Sequence, residues 1–258
     1  MPPIILSMEV DGDDYFESEY RVKIGTQVKY LTIAPNTFDR ETLSCPIQAL
    51  SSLPWEDEWT VAHISRPEPR GELKTSLSNK ALAGVKHHWH HAMIDCLELE
   101  KSKQLTAMAL EAKYAHFPDN VIAKIARFEW EIPRIERETL AYQLLQDSDL
   151  TPRFLGHIHE NGRIMGFILE KVEGCAASIE NMEACETVLK RLHQIGLLHG
   201  DTNRHNFLVI ENGVKLLDFE RFRENASPEA MQQEMDSLRV ELMDDSGRGG
   251  GGFIFQDG

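Results

Sequence analysis

Apolar and polar residues alternate along YRVKIGTQVKYLTIAP (20–35), with Tyr20, Val22 and Ile24 before Gly25-Thr26 and Val28, Tyr30 and Thr32 after it. A period of two around small turn residues predicts a β-hairpin with one buried face. SRPEPRGELKTSLSNK (65–80) carries too few apolar residues to pack and is expected to be a linker or mobile loop. The β pattern resumes near Met93: IDCLELE, LTAMALEAKYA and NVIAKIARFEW predict three successive strands, separated by EKSKQ and HFPDN.

The period then lengthens. Pro133 suits a first helical turn, and PRIERETLAYQLLQ sets Ile135, Leu140, Leu144 and Leu145 on one side of a helix. RIMGFILEKVEG predicts a further strand ending at Gly174. NMEACETVLKRLHQIG places Met182, Cys185, Leu189, Leu192 and Ile195 on a helix stopped by Gly196. Asn212-Gly213 between FLVI and VKLLDF predicts a two-residue hairpin turn. Ser227-Pro228 caps a last helix bearing Met231, Met235, Leu238 and Leu242, before a glycine-rich stretch from 244 to 258 that is expected to be flexible. The expectation is an α+β fold.

Composition narrows the function. With 258 residues, 41% of them hydrophobic, the chain can fill the core of one large domain or two lobes sharing a cleft. The formal charge of −15 works against a nucleic-acid partner. No window is apolar and long enough to span a membrane, and MPPIILSMEVDGDDYF lacks the basic start of a secretory signal, so a cytoplasmic location is expected. Cys45, Cys96, Cys175 and Cys185 form no CxxC pair and are expected to be free, mostly buried thiols. In KHHWHH (86–91), neighbouring imidazoles would point apart, so no closed zinc site is expected; Trp89 is expected to pack against the first strand of the small lobe.

HGDTNRHNFLVIENGVKLLDFE (199–220) concentrates the chemistry. The predicted hairpin folds residues 201–206 back beside 218, so that Asp201, Asn206 and Asp218 converge. Oxygen donors of this kind suit Mg²⁺, with phosphate oxygens and waters completing its shell.

His199-Gly200-Asp201 followed by Asn206, with Leu217-Asp218-Phe219-Glu220, resembles the catalytic core of the protein-kinase-like superfamily, in the HGD form used by aminoglycoside phosphotransferases and compact atypical kinases. Asn203-Arg204-His205-Asn206 and the DFE ending are similar to bacterial lipopolysaccharide-core sugar kinases. WEIPRIERETLAYQLL and SGRGG resemble a branch of small kinase-like proteins of filamentous fungi.

The resemblance implies a two-lobed fold: a β-rich extension and linker (1–80), a kinase-like N-lobe (81–172), a reduced C-lobe with the catalytic loop (173–243) and the tail (244–258). It also implies roles. Val121-Ile122-Ala123-Lys124 matches the third strand, so Lys124 would hold ATP phosphates and pair with Glu138, with Glu136 as the nearby competitor. Asp201 would orient or deprotonate the attacking hydroxyl, Asn206 and Asp218 would hold Mg²⁺, and His199 would shape the loop. Glu170, Lys171 and Val172 would form the adenine-binding hinge, with Met108 or Ile168 lining the slot, and Arg204 would touch a phosphate or cover the surface.

Two departures stand out. The connector expected to cover the phosphates, Glu100-Lys101-Ser102-Lys103-Gln104, has no glycine, so Lys101 and Lys103 would have to supply charge instead. No long activation segment or APE motif follows Asp218, which favours a small-molecule or sugar acceptor over a peptide. The expectation is therefore an ATP- and Mg²⁺-dependent phosphotransferase. The alternatives are a nucleotide-binding pseudokinase or scaffold whose first 80 residues engage a protein partner, a compact atypical protein kinase, or the same cleft turned to another nucleotide chemistry.

Overall fold

The computed structural model describes residues 2–11, 13, 15–50, 53–67 and 71–249, and its fold is mixed α+β. Two compact units emerge, one of Met1–Ala83 with Arg127–Glu129 and the other of Gly84–Ala126 with Trp130–Gly258.

The first unit is a five-stranded sheet in sequence order: β1 (Ile4–Glu9), β2 (Ser18–Ile24), β3 (Gln27–Ile33), β4 (Val61–Ser65) and β5 (Lys74–Ser78). The short helix α1 (Arg40–Ser44), capped by Asp39, follows β3. Gly25-Thr26 forms the predicted two-residue turn, with Ile24 opposite Gln27. The strand is buried on both faces rather than one: Val28 and Tyr30 are buried as expected and Thr32 is half-buried. Tyr20 stands opposite Leu31 and Ser18 opposite Ile33, so Leu31 and Ile33 join Tyr20, Val22 and Ile24 on one face of the core. Lys29 shares that face and is buried, its ammonium 4.4 Å from the centre of the Trp59 ring and bonded to the Asp57 carbonyl. Burial draws its pKa below the ordinary lysine value. The stretch expected as a linker contributes β5, whose side chains are all exposed; being an edge strand, it needs no apolar face.

The second unit contains a six-stranded sheet in the order β6-β10-β11-β9-β8-β7. Its strands are β6 (Met93–Asp95), β7 (Glu100–Gln104), β8 (Ala109–Lys113), β9 (Val121–Ile125), β10 (Phe154–Glu160) and β11 (Arg163–Glu170). Helix α2 (Ile132–Leu145) buries Ile135, Tyr142 and Leu145 against this sheet, while Leu144 is exposed, contrary to the predicted face. EKSKQ is not a connector: it is β7, paired with β8, and the turn is Leu105–Met108. The backbone hydrogen bonds of that edge strand hold a polar sequence extended.

Beyond Glu170 the chain forms β12 (Cys175–Ala176), α3 (Met182–Gln194), β13 (Leu197–Leu198), β14 (Phe207–Ile210), β15 (Gly213–Leu216), β16 (Arg223–Glu224) and α4 (Pro228–Met243). Cys185, Val188, Leu189 and Leu192 of α3 are buried with Leu238 and Leu242 of α4 in one core that also takes in the sheet residues; Ile195 is exposed. The β14–β15 turn is Glu211-Asn212, one residue earlier than predicted, because Gly213 pairs with Ile210 as the first strand residue. All four cysteines are free, but only Cys185 is buried; Cys45 and Cys175 are exposed. Among the described residues no helix is long and apolar enough to cross a membrane.

The histidine-rich stretch is structural in geometry. Trp89 packs on Phe154 of β10, ring centres 4.7 Å apart, and its indole N–H donates to the Thr139 carbonyl of α2 at 3.2 Å, rather than resting on the first strand. His157, fully buried, accepts at Nε2 the backbone N–H groups of Trp89 and His90 at 3.1 and 3.2 Å. An imidazole accepting two amides cannot protonate there without losing both bonds, and burial, reinforced by neighbouring histidines, lowers its pKa to about 4. The unfolded chain binds this proton near pH 6.5 and the folded chain does not. Stability from this residue is therefore complete above pH 6.5 and falls as pH drops towards 4, by roughly 3 kcal/mol in all. Urea midpoints between pH 7.5 and 5 should show a shallower slope for His157→Gln, whose amide oxygen can still accept; an unchanged slope would refute the assignment.

Candidate active site

Lys124 lies near the end of β9, where its register with β8 and β11 sets it opposite Ala109 and Phe167. The neighbouring strand needs glycine here, since a Cβ on Gly166 would lie 2.4 Å from the Lys124 carbonyl oxygen. The side chain is buried, and its ammonium meets three carboxylates: Glu138 Oε2 at 2.7 Å, Asp218 Oδ1 at 3.1 Å and Glu220 Oε1 at 3.1 Å. Burial opposes the charge on Lys124, but the three anions outweigh it and hold its pKa above the usual lysine value. Glu138 is fully enclosed, and burial pushes its carboxyl upward, with Lys124 pulling the other way.

Glu138, not Glu136, is the partner of Lys124. Glu136 instead accepts the backbone N–H groups of Lys86 and His87 at 2.6 and 3.0 Å. The second oxygen of Glu138 accepts the Phe219 N–H at 3.0 Å, so one carboxylate fixes both the lysine and the segment after Asp218. Asp218 adopts φ +60°, a left-handed conformation that Asp tolerates better than most residues.

The loop from 199 to 206 is held from several sides. His199, fully buried, donates Nε2–H to the Leu217 carbonyl at 2.9 Å, and its Nδ1 accepts the Asp201 N–H at 3.3 Å. Both nitrogens are thus engaged, and burial lowers the imidazole's pKa. Gly200 has φ +81°, and a Cβ there would lie 2.3 Å from the Arg221 carbonyl oxygen, so both conformation and space require glycine. Asn203 caps the short turn Arg204–Asn206 and donates Nδ2–H to Asp201 Oδ1 at 3.2 Å. Asn206 donates Nδ2–H to the Asp201 carbonyl at 2.8 Å, and its own carbonyl accepts the Leu217 N–H at 2.9 Å. Asn206 and the segment leading into Asp218 are thereby joined, with the amide oxygen of Asn206 left as its remaining polar function.

The other predicted residues are placed differently. Lys101 and Lys103 lie along edge strand β7. In the turn that follows, Leu105 and Thr106 donate their N–H groups to the Ala109 carbonyl, while Met108 and Ala109 donate theirs to Thr106 Oγ1. These four amides are satisfied within the turn. Glu170 ends β11 with its N–H on the Arg153 carbonyl, Lys171 pairs with Glu173 at 2.9 Å and Glu111 at 3.3 Å, and Val172 is half-buried beside them. Arg204 donates Nε–H to the Ala177 carbonyl at 3.0 Å and pairs with Asp245, so its guanidinium braces the loop against its neighbours. Gly249 also approaches this region: a Cβ there would meet the Asn203 side chain at 2.4 Å.

Two functional candidates escaped sequence reasoning. Glu220 follows Asp218-Phe219, where its carboxylate reaches Lys124. Glu234 lies on α4 at helical spacing from Met231 and Leu238, an acid on an apolar stripe, and that placement was the available signal. Its buried carboxylate accepts the N–H groups of His199 at 3.2 Å and Gly200 at 2.6 Å and pairs with His193 at 2.8 Å. Burial alone would raise its pKa, but these bonds outweigh it and keep the carboxyl below its ordinary value.

Among the described residues, the group of side chains close enough to share a metal ion is Glu138, Asp218 and Glu220, with one oxygen of each within 4.8 Å of the others. Their hard oxygens fit Mg²⁺ rather than a soft metal.

A comparison with curated proteins finds no match. Among solved structures, the kinase PK-1 of Cydia pomonella granulovirus is similar at 16% identity and a TM-score of 0.38, over 50% of this chain and 53% of that one. The match therefore spans about half the length of that kinase. The model of the lipopolysaccharide kinase (Kdo/WaaP) family matches residues 175–248, the stretch that contains the HGD loop, Asn206 and Asp218. The chain is thus similar, through this segment, to the lipopolysaccharide kinase (Kdo/WaaP) family.

Proposed function

We propose that the chain is an ATP- and Mg²⁺-dependent phosphotransferase acting on a hydroxyl of a small molecule or sugar. One observation carries this reading: the buried Lys124 ammonium, paired with Glu138 at 2.7 Å, faces Asp218 across 3.1 Å. A buried cation bridging a helix acid and an acid beside the catalytic loop is the arrangement phosphoryl transfer needs to fix polyphosphate oxygens. In this reading Asn206 and Asp218 would hold Mg²⁺, and the bound ion would supply neutralisation of charge on the transferring phosphoryl group. Asp201, aimed by Asn203 and by the backbone bonds of His199 and Asn206, orients the acceptor hydroxyl and takes up its proton. Glu170, Lys171 and Val172 border adenine. A cytoplasmic setting, where ATP and Mg²⁺ are plentiful, goes with this reading.

A second reading, a nucleotide-binding protein without transferase activity, is favoured by the turn at Leu105–Met108. The amides of Leu105, Thr106 and Met108 bond within the turn, so a phosphate gains little from them.

The nucleotide reading predicts a Mg²⁺-dependent rise in melting temperature with ATP, since ligand at a hundred times its Kd stabilises by about 2.7 kcal/mol. No shift at millimolar ATP with Mg²⁺ would count against both readings. Transfer separates them. Asp201→Ala should retain Mg·ATP binding while turnover falls by about two to four orders of magnitude; equal turnover in both forms would mean that the activity arises elsewhere.

A further inference from the structure

Glu220 stands between two cations. Its Oε1 lies 3.1 Å from Lys124 Nζ, and its Oε2 lies 3.8 Å from Arg134 Nη1 on the first turn of α2. The backbone around it is pinned: the Phe219 N–H donates to Glu138 Oε1, and the Arg137 guanidinium donates to the Glu220 carbonyl. The Glu220 side chain, a quarter exposed, can therefore change partner by rotating its own torsions while the main chain stays in place. Arg134 is half exposed and has room to receive it.

An ammonium has three hydrogens, and three carboxylates surround Lys124. An incoming phosphate must displace one of them. Glu138 is enclosed and also holds the Phe219 amide, and Asp218 is the residue assigned to the cation, which leaves Glu220 as the displaceable partner. Because the turn at Leu105–Met108 bonds the amides of Leu105, Thr106 and Met108 internally, few of its amides can contact a phosphate, and competition for Lys124 weighs correspondingly more.

We infer that Glu220 determines nucleotide affinity by occupying the phosphate position on Lys124 in the empty site and moving to Arg134 when phosphate arrives. The inference rests on the phosphotransferase reading and adds a residue to it. It also assigns Arg134 a part: it is the perch that makes release of Lys124 favourable.

Isothermal titration of the full chain with the non-hydrolysable analogue AMP-PNP at fixed Mg²⁺ tests this without relying on turnover. Glu220→Gln keeps the shape and loses the charge, and should bind about tenfold more tightly than wild type, the scale of one charge-assisted contact. Arg134→Ala, on an exposed site where folding is not at stake, should bind more weakly, and the double variant should match Glu220→Gln because the perch no longer matters. Equal affinities in all forms, or weaker binding by Glu220→Gln as expected of a metal ligand, would overturn the role of Glu220 and leave the phosphotransferase reading standing. Absence of binding in every form would overturn both.

Discussion

An ammonium group stays charged out of water only where anions replace the hydration it loses, and the site in the second unit is arranged around that constraint at Lys124. Each of its carboxylates comes from a different part of the chain or a different turn of it: Glu138 from α2, Asp218 and Glu220 from the segment after β15. Satisfying one buried charge therefore fixes the position of a helix against a sheet and of the segment after β15 against both. Three carboxylates around one ammonium leave an excess of negative charge, so the three contacts are coupled and their energies are not additive.

The same economy operates at the loop. Glu234 reaches from α4 to the amides of His199 and Gly200, and His199 reaches from the loop to the Leu217 carbonyl. The loop that holds Asp201 and Asn206 is thus positioned by groups outside those two residues. Gly200 makes this packing feasible, because Arg221 passes where any larger residue would put its Cβ. The turn at Leu105–Met108 instead stabilises itself, with Thr106 Oγ1 accepting the Met108 N–H and the Ala109 carbonyl accepting those of Leu105 and Thr106.

Much of this was legible in the chain. Apolar periodicity identified α2, α3 and α4, and the order Lys124, Glu138, Asp218 anticipated the ion pairs that the fold makes. The sequence was least informative where backbone bonding rather than side-chain pattern decides. EKSKQ reads as a loop because it is polar, yet pairing with β8 makes it a strand, and this moves the phosphate-side turn to residues 105–108. Lys74–Ser78 was misread for the same reason. A shift of one residue in the β14–β15 turn left the placement of Asn206 beside Leu217 intact, since the pairing of Phe207 with Leu216 sets that contact. Glu220 and Glu234 were hidden because an acid in a helix or after a motif normally faces water; only tertiary contact distinguishes them.

Two buried lysines show what separates a structural cation from one suited to exchange. Lys29 rests against the face of Trp59 and the Asp57 carbonyl, neutral partners that belong to the fold, and burial lowers its proton affinity. Lys124 is surrounded by full charges, and they raise it. A neutral aromatic face has no equivalent in solution that could take its place, whereas a carboxylate can be replaced by another anion of similar geometry at small net electrostatic change. Burial alone therefore says little about function; the character of the partners does. In the proposed phosphotransferase reading, a cation whose charge is held by an exchangeable anion, within a chain of net charge −15, would offer a polyphosphate a local point of attraction in an otherwise repulsive field.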